Sequence, residues 1–445
     1  MTPSASHTES HVFSRALGRP LPVVARAQGA CVWDTDGRRY LDGSGGAVVV
    51  NVGHGREEVA AAMGRQAAAV GYVHGTQFTS APLEEYARRV ASHAPAGCDR
   101  LYLVSGGSEA NETAVKIARA YHRARGEADR HKVIRRSVSY HGNTLYTLSL
   151  SGRPSLRAPY EPLLADSPQV AAPFCYRCPL EKTYPACGVA CADDLETVIQ
   201  REGSRTIAAF VAEPILGASA AAAVPPEDYA RRTAETCRRH GILYIDDEVM
   251  TGFGRTGAWF AAEWSALAPD LVTCGKGMSG GYMPAGGVLV RSSIVDALQD
   301  AGGFVHGFTF SHHPVTAAAC LAVIDILERE HLVERAKVLG VLLHERLERL
   351  RAHPHVGDVR GRGLMWGVEL VDDVGTRRPF PRSAGWTAAV VAGCLKAGLI
   401  VYPSSGCANG VDGDAVMLAP PFVTTEAELG EMVDILDHVL FELRL

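Results

Sequence analysis

Residues 270–284 read DLVTCGKGMSGGYMP, a short apolar run that ends in a lysine between two glycines. The run is typical of a buried strand, and the glycines allow a tight turn directly after it. In sheets built from alternating strands and helices, ligands bind where the strands end. Burial at that place would lower the pKa of Lys276 and make its amine nucleophilic toward an aldehyde. An ordinary exposed lysine is the alternative that this segment alone leaves open.

The flanking segments alternate between strand-like and helix-like patterns. Short apolar runs and an amphipathic helical pattern occur in turn, among them YLVSG (102–106), EANETAVKIARAY (109–121), AAFVAEP (208–214) and ILYIDDEV (242–249). This alternation predicts an α/β fold with a mostly parallel central sheet. A long charged helix is predicted from about Ile324, followed by further strands and a last helix.

The length of 445 residues exceeds that of one simple domain. We expect a large domain at 60–325. We expect residues 1–59 and 326–445 to form a smaller α+β domain.

The composition is that of an ordinary globular protein, with 47% hydrophobic and 21% charged residues. A formal net charge of -5 argues against a nucleic-acid binder, which needs a basic face. No uncharged apolar run approaches the ~18 residues of a membrane span, and the polar N-terminal residues lack the apolar core of a signal peptide. We therefore expect a cytoplasmic protein that binds neither nucleic acid nor membrane.

Three adjacent acids, Asp246, Asp247 and Glu248, follow the strand-like run ILYI. They would repel one another unless a cation compensates them. At least one is expected beneath the sheet end, where it pairs with a protonated ring nitrogen; a metal or a structural arginine is the alternative partner. The next segment, GFGRTG (252–257), has the spacing GxGxxG but lacks the strand before it and the helix after it that a dinucleotide site needs.

A strand-like run ends at Ser105 and Gly106, and Gly107 and Ser108 open a helical pattern. N–H groups at a helix N-terminus bind anions, and glycines let a phosphate approach the backbone. Helix capping by Ser108 alone would explain the serine but not the two glycines. Another run, SVSYHG, ends in Tyr140, which is either a core residue or an aromatic ring that stacks on a flat ligand.

Together these segments describe a site for a phosphorylated aromatic aldehyde. The helix start would hold the phosphate, the tyrosine would stack on the ring, an acid would pair with the ring nitrogen, and the lysine would react with the aldehyde. These are the protein groups that pyridoxal phosphate chemistry needs.

The chain resembles the class III (ω-) aminotransferases of pyridoxal-phosphate fold type I over nearly its full length. The motifs that carry the resemblance occur in the order found in that family: GSEANETAVKIA (107–118), SYHG (139–142), AEP (212–214), IDDEVMTGFGRTG (245–257), PDLVTCGKGMSGGYMP (269–284) and GFTFSHHP (307–314). The resemblance implies pyridoxal 5'-phosphate as cofactor. It also implies a homodimer with active sites at the subunit interface.

The resemblance further implies roles for individual residues. Lys276 would form a Schiff base with the cofactor and then act as general base, and Asp247 would keep the pyridine nitrogen protonated. The other implied cofactor-binding residues are Gly107 and Ser108 at the phosphate, Tyr140 and Val249 on the two ring faces, His141 and Glu213 around the ring, and Thr309 at the phosphate of the neighbouring subunit. The implied activity is amino-group transfer in ping-pong half-reactions.

The chain departs from the family at substrate-binding positions. Ala218 stands where relatives acting on 4-aminobutyrate or ornithine carry a glutamate, and Gly410 stands where pyruvate-dependent relatives often carry an arginine. Val48 stands where some relatives place a bulky aromatic residue, which indicates a roomy pocket, and Ala47 is expected to line the same pocket. No carboxylate-binding arginine is identified. We expect a primary amine or ω-amino acid as donor and a keto acid, pyruvate, as acceptor.

Two other functions stay open. The cofactor motifs would equally serve a decarboxylase, an epimerase or an enzyme that shifts an amino group within one substrate. Cys175, Cys178, Cys187 and Cys191 form two close pairs, which either bind structural zinc or pack a loop as reduced thiols. No metal is expected at the active site. A non-catalytic zinc-binding protein on this scaffold is the alternative of another class, and the intact lysine and acid argue against it.

Overall fold

The computed structural model describes residues 11–15, 17 and 21–443. In chain order the strands are β1 (Val24–Gln28), β2 (Cys31–Asp34), β3 (Arg39–Asp42), β4 (Arg100–Val104), β5 (Lys132–Arg136), β6 (Gln169–Val170), β7 (Ile207–Ala212), β8 (Leu243–Asp247), β9 (Leu271–Gly275), β10 (Gly286–Val290), β11 (Val356–Gly361), β12 (Trp366–Asp373), β13 (Arg378–Pro379), β14 (Leu399–Ile400), β15 (Tyr402–Ser405) and β16 (Asp414–Leu418). The α-helices are α1 (Gly45–Val48), α2 (Glu57–Ala69), α3 (Ala81–His93), α4 (Gly107–Ala124), α5 (Leu145–Ser149), α6 (Pro154–Arg157), α7 (Ala190–Glu202), α8 (Asp228–His240), α9 (Ser292–Asp300), α10 (Pro314–Arg329), α11 (Leu332–Glu348), α12 (Trp386–Ala397) and α13 (Glu426–Glu442).

The largest sheet has seven strands in the order β4-β10-β9-β8-β7-β5-β6. The pairs from β9 to β6 are parallel, whereas β10 runs antiparallel to both β4 and β9. Strand β7 is buried at every position, as expected for a central parallel strand that is covered on both faces. The predicted α/β fold with a mostly parallel sheet is confirmed, and the carboxyl ends of β4, β5, β7, β8 and β9 share one edge.

Helix α4 carries the glycine-rich helix start to that edge. Its buried residues Ala110, Ala114, Ile117 and Ala118 recur at the spacing of one helix face. Because most of these side chains are small, the helix packs closely against β9 and β10. This packing fixes the position of the α4 N-terminus relative to the end of β9.

The N- and C-terminal parts of the chain form two smaller sheets. One has the order β1-β2-β3-β14, in which β14 pairs parallel with β3, and the other has the order β11-β12-β16-β15 with β13 beside β12. One hydrophobic core joins them to the large sheet, since Leu41, Leu103 and Leu418 belong to the same buried cluster. The division into two domains stays a proposal, and its boundary at 325/326 falls within α10. Of the expected small domain, residues 1–10, 16, 18–20, 444 and 445 lie outside the described residues.

The prediction of one long charged helix from Ile324 is wrong. The chain forms two helices there, α10 and α11, and His331 between them has a left-handed backbone with φ of 50°. Arg56 binds both carboxylate oxygens of the adjacent Glu330, at 3.0 and 2.8 Å. The break allows α11 to bury Leu332 and Val333 from its first turn onward.

Across the described residues, none of the helices has the length and apolar character that crossing a bilayer requires.

Candidate active site

Lys276 is the first residue after β9, in a short 3-10 turn. Its backbone is left-handed, with φ of 47°, a conformation that is costly for a residue with a side chain and is found mainly at functional sites. Asn51 supports the turn by donating a hydrogen bond from Nδ2 to the carbonyl oxygen of Gly277 at 2.9 Å. Burial lowers the pKa of the Lys276 amine to about 8, and Asp247 opposes this shift. The amine is therefore unprotonated far more often near neutral pH than an ordinary lysine, as a nucleophile must be.

Asp247 ends the neighbouring strand β8 and is held by a buried hydrogen-bond network. Its Oδ2 accepts a hydrogen bond from Asn111 Nδ2 at 2.9 Å and lies 2.7 Å from His141 Nδ1. Asn111 also donates to the carbonyl oxygen of His141 at 2.9 Å, and Thr273 Oγ1 donates to Asn111 Oδ1 at 3.1 Å. The network fixes the carboxylate. Sequence reasoning missed Asn111, because nothing in a single helix shows which strands its polar side chain will meet.

The three adjacent acids have different surroundings. Side chains alternate along a strand, so Asp246 and Glu248 point away from Asp247. Burial raises the pKa of Asp246 well above its usual range, and the charges of Glu248 and Asp247 add to the rise. Burial also raises the pKa of Glu248, which accepts a hydrogen bond from the backbone N–H of Ala262 at 2.8 Å. Asp247 is the member of this group that contacts His141.

The N-terminus of α4 lies beside the lysine turn. A Cβ atom on Gly107 would come within 2.9 Å of Val249 Cγ1, and one on Gly275 would come within 3.3 Å of the same atom. Val249 therefore packs between the helix start and the end of β9, where a larger residue at Gly107 would not fit. Ser108 Oγ accepts a hydrogen bond from the backbone N–H of Asn143 at 3.1 Å. A first helical turn that begins with glycine exposes N–H groups suited to a phosphate.

Tyr140 and Glu213 follow β5 and β7 at the same edge of the sheet. Glu213 Oε2 accepts hydrogen bonds from the backbone N–H of Tyr140 at 3.4 Å and from Arg136 Nη2 at 3.5 Å. Burial raises the pKa of Glu213, although the positive charges of His141 and Arg136 oppose the rise. The contact with Glu213 ties the segment that carries Tyr140 and His141 to the end of β7.

These residues fit pyridoxal phosphate. His141 Nε2 is buried and has no hydrogen-bond partner among the described residues, and the Lys276 amine is half-buried with a lowered pKa. The first turn of α4, which begins with Gly107, presents N–H groups suited to a phosphate. The Asp247 carboxylate is held at the end of β8, where a protonated ring nitrogen would find an acceptor. A ring with a protonated nitrogen, a phosphate and an aldehyde would supply what these groups lack.

The predicted substrate residues lie close by. The carbonyl oxygen of Ala218 accepts a hydrogen bond from Ser404 Oγ at 2.8 Å, which places Ala218 against β15. Val48 is buried with φ of 60°, Ala47 is exposed, and the short helix α1 that contains them packs on both β15 and the Lys276 turn. Thr309 is exposed, and its predicted contact with a neighbouring subunit stays a prediction.

The four clustered cysteines border one small cavity. They range from the exposed Cys175 to the buried Cys191, and burial raises the pKa of the Cys191 thiol to about 12. Zinc ligation requires thiolates. In the part of the chain that the structure describes, no group of three or more His, Cys, Asp or Glu side chains is arranged to hold a metal ion. The geometry therefore gives the zinc alternative no support.

The family model for class-III aminotransferases matches residues 12–440. The uncharacterized aminotransferase YodT of Bacillus subtilis is 39% identical over 433 residues, which cover 97% of this chain and 97% of YodT. The putrescine–pyruvate aminotransferase of Pseudomonas aeruginosa is 36% identical over 413 residues, covering 92% of this chain and 88% of that protein.

Solved structures of transaminases are also similar to this chain. The (S)-enantioselective ω-transaminase of Thermomicrobium roseum superimposes with a TM-score of 0.89 at 39% identity, covering 95% of this chain and 93% of that one. An amine transaminase of an uncultivated Pseudomonas species, solved with pyridoxal phosphate bound, has a TM-score of 0.90 at 36% identity, covering 98% and 99%. The similarity thus extends over whole chains and is not confined to single motifs.

Proposed function

This chain belongs to the class-III aminotransferases, which depend on pyridoxal phosphate, and we propose that it moves an amino group from a primary amine or ω-amino acid to a keto acid, with pyruvate as acceptor. The observation that carries the proposal is the half-buried Lys276 amine, whose pKa desolvation lowers to about 8 next to a fixed Asp247. A lysine of this kind is suited both to bind an aldehyde and to move a proton near neutral pH.

The proposed roles follow from the position of each group. When bound, pyridoxal phosphate supplies an aldehyde that condenses with amines and a protonated pyridine ring that withdraws electrons from the reacting carbon. Lys276 Nζ would hold the cofactor covalently and, when free, would be the base that moves the proton at the donor carbon. The Asp247 carboxylate keeps the ring nitrogen protonated. Gly107 and Ser108 hold the phosphate at the α4 N-terminus.

The remaining residues orient the cofactor. Tyr140 and Val249 cover the two ring faces, and His141 and Glu213 lie around the ring. The hydrogen bond between His141 and Asp247 supports this assignment, as does the contact of Val249 with Gly107.

The proposed reaction balances without an external oxidant. The amine donor leaves as an aldehyde or ketone, and pyruvate leaves as alanine. The water consumed in the first half-reaction is released in the second. Because one product leaves before the acceptor binds, we expect ping-pong kinetics.

The choice of substrates is supported by the relatives and by the site. The name of the Pseudomonas aeruginosa relative joins a diamine, putrescine, to pyruvate, and the name of the enzyme from the uncultivated Pseudomonas species specifies amines. Ala218 places an uncharged residue where a glutamate would serve an amino acid substrate.

We also propose that the enzyme is a cytoplasmic homodimer. Thr309 would reach the phosphate of the neighbouring subunit, and it lies in an exposed segment with Val305, which is 102% exposed, and Phe310, which is 58% exposed. Apolar side chains exposed together in this way are typical of an interface.

A donor–acceptor panel on the purified protein tests the proposed function. We expect amine-dependent formation of alanine from pyruvate, because Lys276 supplies both the attachment and the base. Lys276→Ala should lower the rate at least about 1000-fold, as expected when a general base of this importance is removed. Retained turnover in the variant, or release of carbon dioxide without amino transfer, would contradict the proposal.

A further inference from the structure

An acceptor that carries a carboxylate needs a cationic partner, and Gly410 supplies none. The loop that contains Gly410 is packed against the start of α6. A Cβ atom on Gly410 would come within 2.5 Å of Pro154 Cδ. A side chain projecting there would collide with α6, so a charged group must come from elsewhere.

Arg153 directly precedes Pro154 and is half-buried. Its Nη2 donates a hydrogen bond to the carbonyl oxygen of Ser405 at 3.2 Å, at the end of β15. The preceding residue of β15, Ser404, donates to the carbonyl oxygen of Ala218 at 2.8 Å. Arg153 therefore lies against the strand that covers the predicted substrate residue Ala218.

Arg153 also lies near the ring that is expected to cover the cofactor. Burial raises the pKa of the Tyr140 hydroxyl, the nearby Tyr402 adds to the rise, and the positive charges of Arg15 and Arg153 oppose it. Tyr402 is the first residue of β15. Both cations and Tyr402 therefore lie close enough to the Tyr140 hydroxyl to affect its pKa.

The buried arginines around the site already have partners. Arg255 donates to the carbonyl oxygens of Leu364, Pro420 and Val50. Arg360 donates to the carbonyl oxygen of Ala220 and pairs with Asp358 and Glu369. Arg136 is bound to Glu213.

The only hydrogen bond of the Arg153 side chain among the described residues is the one to Ser405, which leaves its other N–H groups for a ligand.

We propose that Arg153 binds the carboxylate of the keto acid acceptor. This inference rests on the proposed function and assigns a specificity-determining residue to it. Arg153 approaches from the start of α6, at the position where the loop around Gly410 leaves no room for a side chain.

The test compares pyruvate with propanal, a neutral acceptor of similar size, in the enzyme loaded with its cofactor. In Arg153→Met we expect the KM for pyruvate to rise about tenfold to a hundredfold, since a hydrogen bond to a charged group is lost. The kcat/KM for propanal should change by less than about threefold, and Arg153→Lys should recover part of the pyruvate affinity. Arg15→Met is the matched variant at the second cation near Tyr140. It should leave the ratio of kcat/KM for pyruvate to kcat/KM for propanal unchanged.

A second readout does not depend on turnover. Propionate should perturb the absorbance of the bound cofactor in the wild type and in Arg15→Met. In Arg153→Met its affinity, measured by the same absorbance change, should be weaker by about tenfold or more. The inference would be overturned if Arg153→Met lowered kcat/KM equally for pyruvate and propanal. It would also be overturned if only Arg15→Met discriminated between the two acceptors. Failure of the wild type to use either acceptor would overturn the proposed function, while propionate binding would still decide the role of Arg153.

Discussion

Asn111 donates one hydrogen bond to the Asp247 carboxylate and one to the carbonyl oxygen of His141, which itself contacts Asp247. We expect Asn111→Ala to weaken pyridoxal phosphate binding about tenfold to a hundredfold, because a buried charged acceptor loses a donor. Cofactor titration of the apoprotein, followed by absorbance, measures this. Gln200→Ala removes an amide that is exposed on α7 and serves as the control. Unchanged affinity in Asn111→Ala would show that His141 alone holds Asp247.

At this scale, some residues could be predicted from the sequence and others could not. Lys276 and Asp247 follow apolar runs directly, so the rule that ligands bind at strand ends identifies their positions. Asn111 lies within a helix, and its partners come from β8, from β9 and from the segment after β5. The one available signal was a polar residue beside Ala110 and Ala114 on the buried face of α4. Arg153 gave no signal, because its neighbour Ser405 is distant in the chain.

At the scale of elements, the close approach of α4 to Val249 determines which residue can open the helix. Gly107→Ala would place a Cβ 2.9 Å from Val249 Cγ1. We expect a loss of about 1–3 kcal/mol in the free energy of unfolding of the apoprotein, because the overlap forces neighbours to move. Thermal and denaturant unfolding measure the loss.

Two variants make the cause of that loss testable. Val249→Ala removes the overlapping methyl groups, so the cost of Gly107→Ala should be smaller in that background. Gly64→Ala, in α2, is the matched control, since a Cβ on Gly64 would meet no atom within 4 Å. It should be neutral or stabilise by about 0.5–1 kcal/mol. An equal cost of Gly107→Ala in both backgrounds would contradict the steric explanation.

The boundary between α10 and α11 shows what periodicity alone misses. Helical spacing continues on both sides of His331, so the sequence predicts one helix. The break depends on a left-handed residue and lies beside the pairing of Glu330 with Arg56, which is far away in the chain. Long-range contacts of this kind are absent from local sequence patterns.

For the whole molecule, the alternation of strands and helices predicted the fold class but not the order of the strands. The insertion of β10, antiparallel, between β4 and β9 depends on how the chain returns after the lysine turn. That insertion still leaves β4 parallel to β9, so the helix start and Lys276 meet at one edge. The second subunit stays a proposal, because the exposed Thr309 can be assigned to a partner only by the resemblance.

Covalent attachment of pyridoxal phosphate to Lys276 is the central claim, and borohydride reduction tests it directly. Trypsin does not cleave after a modified lysine, so we predict that the reduced cofactor is found on the peptide 256–291, with position 276 uncut. Lys276→Ala treated in the same way should carry no adduct. A cofactor trapped on a different lysine would contradict this claim. So would complete tryptic cleavage after Lys276 in the reduced wild-type protein, with no intact peptide 256–291.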